Sequence, residues 1–120
     1  MIKQLKFVSV PVSDQQRALD FYTRKLGFSI LTDQPFGNGT RWIELALNGG
    51  TGIALFTPPG HETRIGTFSG MSFEADNVEK TYQELVQRGV EFTQPPKKEG
   101  WGTSAIFRDP DGNTFVLSSR

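Results

Sequence analysis

The stretch Phe107 to Leu117, FRDPDGNTFVL, decides how this chain is read. Asp109-Pro110-Asp111-Gly112 has the composition of a tight turn. Proline presets φ at the second position, an aspartate side chain accepts hydrogen bonds from its own backbone, and glycine tolerates a positive φ. Short apolar-alternating runs flank the turn, Thr103 to Arg108 and Asn113 to Leu117, so the segment predicts a β-hairpin. An earlier stretch has the same design: Trp42 to Leu47, then Asn48-Gly49-Gly50, then Thr51 to Phe56. Two such hairpins, each closing half of the chain, point to an internal repeat.

Working outward from the hairpins, the same order precedes both. In the first half, Leu5 to Val12 alternates as a strand, with Val8, Val10 and Val12 on one face and Phe7, Ser9 and Pro11 on the other. Ser13 and Gln16 have the spacing of a capping box and predict a helix near 14–26. Its apolar stripe is Ala18, Leu19, Tyr22 and Leu26, and Gly27 stops it. Phe28 to Thr32 reads as a strand, and Gln34 to Thr40 as a loop. In the second half, Phe68 to Ala75 is strand-like, and Asp76 and Glu79 repeat the cap spacing before a helix near 77–88. Val78, Tyr82, Leu85 and Val86 make its stripe and Gly89 ends it. Val90 to Thr93 is a strand and Gln94 to Gly102 a loop. The order is β-α-β-β-β twice, an α+β class with eight strands and two main helices. Registering the halves places Phe7 over Gly70, an offset of 63, and Ala54 over Val116, an offset of 62.

Composition bounds the function. A chain of 120 residues reads as a single domain, with a first module over about 1–57, a linker over about 58–66 and a second module over about 67–120. Lys+Arg 13 against Asp+Glu 13 leaves no basic footprint for nucleic acid. No apolar run approaches a membrane span and no secretory h-region opens the chain, so the expected location is the cytoplasm. With Cys 0, disulfides, thiolate metal sites and a cysteine nucleophile are excluded. Phe 10 supplies large dry surface for a core or a pocket.

The segments LKFVSVPVSDQQRALDFYTRKLGF, AD-N-helix-RGVEF and FRDPDGNTFVL resemble the vicinal oxygen chelate superfamily, which includes glyoxalase I, extradiol dioxygenases, fosfomycin resistance enzymes and bleomycin resistance proteins. The resemblance covers nearly the whole chain. It implies two βαβββ modules whose sheets form a concave, barrel-like cup with helices outside, and in metal-dependent members a divalent ion held there by His and Glu. Strand alternation then assigns Trp42, Glu44, Ala46, Ala54, Phe56, Gly70, Ser72, Glu74, Thr114, Val116 and Ser118 to the concave face, with Ile43, Leu45, Leu47, Ile53, Leu55, Met71, Phe73, Phe115 and Leu117 in the core.

Carried over position by position, the family's four metal ligands fall on Phe7, Ala54, Gly70 and Val116. None can hold a metal that requires oxygen or imidazole donors. No metal and no cofactor is therefore expected, and the cup becomes drier. The ligand-binding candidates are Phe7, Trp42, Glu44, Ala54, Phe56, Gly70, Ser72, Glu74, Trp101 and Val116. Glu44 and Glu74 are also the catalytic candidates: a carboxylate in an apolar cup can serve as a base or bind a cationic ligand, or it can sit solvated at the rim beside Arg41 or Arg108. Trp101, in a Gly-flanked loop, covers a ligand, the domain's own edge or a dimer partner.

Other chemistry is excluded by spacing. His61, the sole histidine, lies in the polar linker, so no Ser-His-Asp triad is available. Asp109-x-Asp111 lacks the glycine and glutamate of a calcium loop, since Thr114 and Arg120 stand at those positions. No glycine cluster has the Gly-Lys-Ser/Thr of a phosphate loop. The expected function is metal-free binding of a small organic molecule, in a protein whose sheet edges favour a homodimer. The alternatives are a glyoxalase-like lyase, isomerase or dioxygenase using an atypical metal site or Glu44 or Glu74, and a domain that works through protein contacts alone.

Overall fold

The computed structural model describes residues 1–119. The chain divides into two compact units, Met1–Ile65 and the remainder from Gly66. In the first, β1 (Phe7–Val10), α1 (Gln15–Asp20), β2 (Ser29–Pro35), β3 (Arg41–Ala46) and β4 (Gly52–Leu55) follow in order. The second has β5 (Phe68–Glu74), α2 (Val78–Gln87), β6 (Glu91–Glu99), β7 (Gly102–Arg108) and β8 (Thr114–Ser118). The sheet orders are β1-β4-β3-β2 and β5-β8-β7-β6. In each, the first pair is parallel and the others antiparallel. The fold is α+β, with βαβββ repeated as the sequence predicts. The sheets are not closed into a barrel: β1 and β2 are the edges of one, β5 and β6 of the other.

The ladders carry the repeat. Ser9 pairs with Ala54, and Ser72 with Val116; Glu44 pairs with Ala54, and Ile106 with Val116. These pairs reproduce the offsets found by registering the two halves. Burial follows the two-residue period at Ile43, Leu45, Ile53, Leu55, Phe115 and Leu117, all buried. Pro11 and Ala46, expected on the open faces, are buried as well, while Leu47 and Val8 are only half-buried.

The helix starts differ from expectation by one residue. Asp14, not Ser13, caps α1: its carboxylate accepts from Arg17 N at 3.0 Å. Asn77, not Asp76, caps α2, accepting from Lys80 N at 3.0 Å. Both caps have extended backbone, as a cap requires. The first helix also continues beyond Asp20 as a π-helical turn, Phe21–Lys25, in which Leu26 N donates to Phe21 O at 3.3 Å. The wider turn keeps the adjacent Phe21 and Tyr22 both buried, their rings edge to face at 5.2 Å. Val86, placed in the stripe of α2, is 45 % exposed.

The expected loop from Gln94 to Gly102 is mostly strand. Pro95 and Pro96 lie within β6, which is an edge strand and needs no donor on its outer side. Its register shifts near them mark bulges. The linker contains one 3-10 turn, Glu62–Arg64. The Asp109–Gly112 turn forms as predicted. Gly112 N donates to Asp109 O at 3.0 Å, and Gly112 has φ of 86°. The buried Asp109 carboxylate accepts from Asp111 N (2.9 Å), Asn113 N (3.0 Å) and Asn113 Nδ2 (2.9 Å). Asn113 Oδ1 in turn accepts from Gly66 N at 2.8 Å, tying the hairpin turn to the start of its unit. Among the described residues, no helix is long and apolar enough to cross a membrane.

The cap assignment has a direct consequence. Asp14→Ala should lower the unfolding free energy by about 1 kcal/mol, the usual worth of a side-chain N-cap, and Ser13→Ala by clearly less. Urea denaturation of the two variants reads the difference, and equal losses would contradict the assignment.

Candidate functional site

Four aromatic residues of the first unit gather together, apart from Phe21, Tyr22 and Phe28, whose buried rings meet one another. Phe7 on β1, Trp42 on β3 and Phe56 just past β4 are half-buried. Their rings meet pairwise: Phe7 and Trp42 edge to face at 5.4 Å, Trp42 and Phe56 tilted at 5.4 Å. Phe36, in the β2–β3 connection, joins them at 5.6 Å from Trp42 and 5.5 Å from Phe56. The register explains the cluster. Phe7 pairs with Gly52, two residues before Ala54, whereas Trp42 lies two residues before Glu44, the partner of Ala54 on the antiparallel strand. The two rings thus lean toward each other from opposite ends of the face, across Ala54. Ala54 is 0 % exposed and supports the cluster from below.

Hydrogen bonds hold the strand ends that carry these rings. The Gln15 amide donates to Arg41 O (2.7 Å) and Leu55 O (2.8 Å) and accepts from Arg41 N (3.0 Å), pinning α1 to the start of β3 and the end of β4. Thr57 Oγ1 accepts from Val12 N at 2.8 Å and donates to Val12 O at 2.9 Å. Phe56, between these two anchors, has little freedom. A groove of about 530 Å³ runs beside it, lined by Ser13, Gln16, Thr40, Arg41 and Thr57 among others.

One polar group belongs to the aromatic face. Trp42 Nε1 donates to Glu44 Oε1 at 2.8 Å, so the indole and the carboxylate fix each other. Glu44 is paired in this way rather than with Arg41, whose guanidinium binds Asp33 through Nε (3.0 Å) and Nη2 and reaches Gln16 Oε1 through Nη1 (2.8 Å). Asp33 holds the Arg41 pKa above its ordinary value by this hydrogen-bonded contact, so Arg41 is a permanent cation of the helix side. Arg108 binds Glu91.

The second unit presents different side chains at equivalent places. Gly70, Ser72 and Glu74 are exposed along β5, and Val116 is half-buried on β8. Ile106 holds the ladder position that Glu44 holds in the first unit. Trp101 stands at the β6–β7 turn, away from these strands in sequence, and is 61 % exposed. The candidates therefore fall into three groups: Phe7, Trp42, Glu44, Ala54 and Phe56 on one face; Gly70, Ser72, Glu74 and Val116 on β5 and β8; and Trp101 by itself on a hairpin tip. Sequence reading missed Phe36. Its signal was periodicity: Gln34 pairs with Trp42, and two residues further along the same alternation is Phe36, within the stretch read as loop.

The metal positions do not suit a metal. Phe7, Ala54, Gly70 and Val116 offer no side-chain donor, and among the described residues no group of three or more His, Cys, Asp or Glu could hold one. The backbone adds a second obstacle. Gly70 has φ of 75° and lies where the β5–β8 register shifts, and Ser69 Oγ braces the spot by donating to Thr114 O (2.7 Å) and accepting from Met71 N (3.1 Å). His61 is exposed in the linker beside the 3-10 turn.

A profile of the Glyoxalase/Bleomycin resistance protein/Dioxygenase superfamily matches residues 4–117. The chain belongs to that superfamily. It is similar to the Bacillus subtilis (strain 168) protein YetH, 37 % identical with 98 % of each chain covered. A superfamily member from Sphaerobacter thermophilus DSM 20745 superimposes with a TM-score of 0.89 at 34 % identity, covering 99 % of this chain and 98 % of that one. TnmS3, an antibiotic binding protein from Streptomyces sp. CB03234, superimposes with a TM-score of 0.83 at 38 % identity, covering 98 % and 96 %.

The Gly70 backbone yields a test. Gly70→His should lose about 1–2 kcal/mol of stability, because an L-residue is forced into left-handed backbone, and should bind no stoichiometric metal. Thermal denaturation and elemental analysis read the two outcomes. Unchanged stability would show that this backbone accepts a β-carbon, and a stoichiometric metal would show that donors other than these four positions lie within reach.

Proposed function

We propose that this protein binds a small organic molecule without a metal, using the aromatic face of its first unit as the main contact surface. The observation that carries the reading is the four-ring cluster of Phe7, Phe36, Trp42 and Phe56, with Glu44 fixed beside it by the indole N–H. Apolar surface with a few placed polar groups is the usual composition of a small-molecule site. The similarity to an antibiotic binding protein supports the reading. Glu44 accepts from Trp42 through one oxygen, and the proposal assigns its other oxygen to a hydrogen-bond donor or cation on the ligand. Ser72, Glu74, Gly70, Val116 and Trp101 are proposed as contacts contributed by the second unit in their own right.

The same proposal includes a cytoplasmic location, which a chain with Cys 0 suits, and a homodimer. Each sheet has two edge strands with main-chain groups available for pairing, a feature that favours association with a second copy. Light scattering at high micromolar concentration should give twice the chain mass, and a monomer there would remove the dimer from the proposal.

Titration tests the ligand chemistry. Cationic, neutral and anionic derivatives of one aromatic ring system should bind in that order, with a change in tryptophan emission that Trp42→Phe largely abolishes. Glu44→Gln should weaken the cationic compound by roughly 1.5–3 kcal/mol, the worth of a hydrogen bond to a charged group, and the neutral one by less. Glu74→Gln, in the same series, reads whether the second carboxylate contributes. Tightest binding of the anionic compound, or an unchanged ranking in both variants, would refute this chemistry.

A further inference from the structure

The chain has four asparagines, Asn38, Asn48, Asn77 and Asn113, in two contrasting settings. Asn77 Oδ1 accepts from Lys80 N at 3.0 Å. Asn113 is 2 % exposed; it accepts from Gly66 N at 2.8 Å and donates to Asp109 Oδ2 at 2.9 Å. Both precede a β-branched residue, Val78 and Thr114, and Thr114 N donates to Thr67 O at 3.1 Å. Asn38 and Asn48 are exposed and precede Gly39 and Gly49. Among the described residues neither side chain makes a hydrogen bond, and neither glycine N–H has an acceptor. Each Asn-Gly step forms the centre of a tight turn. Thr40 N donates to Gly37 O and Gly50 N to Leu47 O, both at 2.9 Å. Asn38 and Gly39 have φ of 51° and 76°, Asn48 and Gly49 of 48° and 74°. Positive φ at both central residues makes these type I′ turns.

Each turn joins an electrophilic carbon, a leaving nitrogen and an uncommitted nucleophile in one residue step. Gly39 N, once it has given its proton to solvent, can bond to Asn38 Cγ; the Cγ–Nδ2 bond breaks and ammonia leaves, closing a five-membered imide. Water then opens the ring. Attack at Cγ yields aspartate. Attack at the main-chain carbonyl carbon yields isoaspartate, with the chain now running through Cβ and Cγ. Gly49 N and Asn48 Cγ stand in the same relation. Three features favour closure. Glycine has no Cβ to shield its nitrogen. The nitrogen that loses its proton gives up no hydrogen bond in either turn. Rotating the central peptide plane converts a type I′ into a type II′ turn, which keeps the positive φ of the asparagine and leaves the glycine to take the new angle. The ring therefore closes with the bond across the turn in place. We infer that Asn38 and Asn48 are sites of spontaneous modification, where an exposed asparagine in left-handed backbone meets an unbonded glycine N–H and passes through a cyclic imide to aspartate and isoaspartate in the folded protein. At Asn38 the new charge and the lengthened backbone fall within the Phe36–Thr40 loop, which Phe36 N closes on Thr40 O at 2.8 Å.

Incubation of the native protein at mildly alkaline pH tests this. Lys+Arg 13 balance Asp+Glu 13, so each conversion is read as one acidic step on ion exchange. Two new acidic species should accumulate, carrying by mass one and two exchanges of an amide for a carboxyl group. Peptide mapping should place them at Asn38 and Asn48, with isoaspartate at both. A mildly acidic buffer should slow them, because the attacking nitrogen must lose a proton. Asn38→Gly and Asn48→Gly, which suit the positive φ, should each remove one conversion and the double variant both. An isoaspartyl methyltransferase with a labelled methyl donor should label the aged wild-type protein and not the aged double variant. Absence of the acidic species from the native protein would overturn the inference, whether or not urea-unfolded protein forms them. So would aspartate without isoaspartate, or conversion confined to Asn77 or Asn113. Conversion at one turn alone would overturn the assignment of the other.

Discussion

The burial of Ala54 is the constraint on which the aromatic face depends. Ala54 sits on the central strand β4, between Ser9 of β1 and Glu44 of β3, and its single methyl group is completely covered. Only a small side chain there lets Phe7 and Trp42 meet overhead. A glutamate at this position, as a metal site of this fold would need, requires the volume that the rings occupy. It would also place a second carboxylate directly opposite Glu44, the ladder partner of this position, a costly juxtaposition. The ring cluster and a glutamate at this position therefore compete for the same space on the sheet.

The two units reach the same topology with opposite surfaces. Equivalent ladder positions carry Ala54 and Val116, Glu44 and Ile106, while Gly70, set against Phe7 by registering the halves, lies in the register shift of β5. Large rings and a fixed carboxylate belong to the first unit; a bulged glycine and an aliphatic pair take their places in the second. The backbone ladder depends on main-chain hydrogen bonds, which are indifferent to these exchanges as long as the opposite face of each sheet stays apolar. That face does stay apolar, through Ile43, Leu45, Ile53 and Leu55 in one unit and Phe107, Phe115 and Leu117 in the other. The exposed faces are thus free to specialise independently.

Glu44 illustrates how a local pairing changes the meaning of a residue. In isolation it is a carboxylate available to act as a base, to pair with an arginine or to bind a cation. Bonded to the Trp42 indole, it becomes part of a rigid pair, with one oxygen committed and the ring held in place. Arg41, the nearest arginine along the strand, points its guanidinium to Asp33 and Gln16 instead. Strand alternation puts Arg41 and Glu44 on opposite faces of β3, so the separation was implicit in their spacing.

Much of this was legible in the residues alone, and for local reasons. The Asp-Pro-Asp-Gly turn, the repeated strand order, the offset between the halves and the core alternation all arise from interactions between near neighbours or from a two-residue period. The same locality explains the near misses: Ser13 and Asp14, like Asp76 and Asn77, are all capable caps, and only the backbone's actual entry into the helix selects one. The β6 prolines read as loop because their tolerance depends on which strand becomes an edge. Phe36 was hidden in the same way, since a ring in a glycine-rich loop acquires a role only when β2 and β3 pair and bring it over Trp42. The chain's own order determined most of the strands and the turns. Which side chains meet across the sheet, and so which of them can act as one surface, was decided by tertiary structure, because those contacts join residues far apart in the chain through a register that no single segment contains.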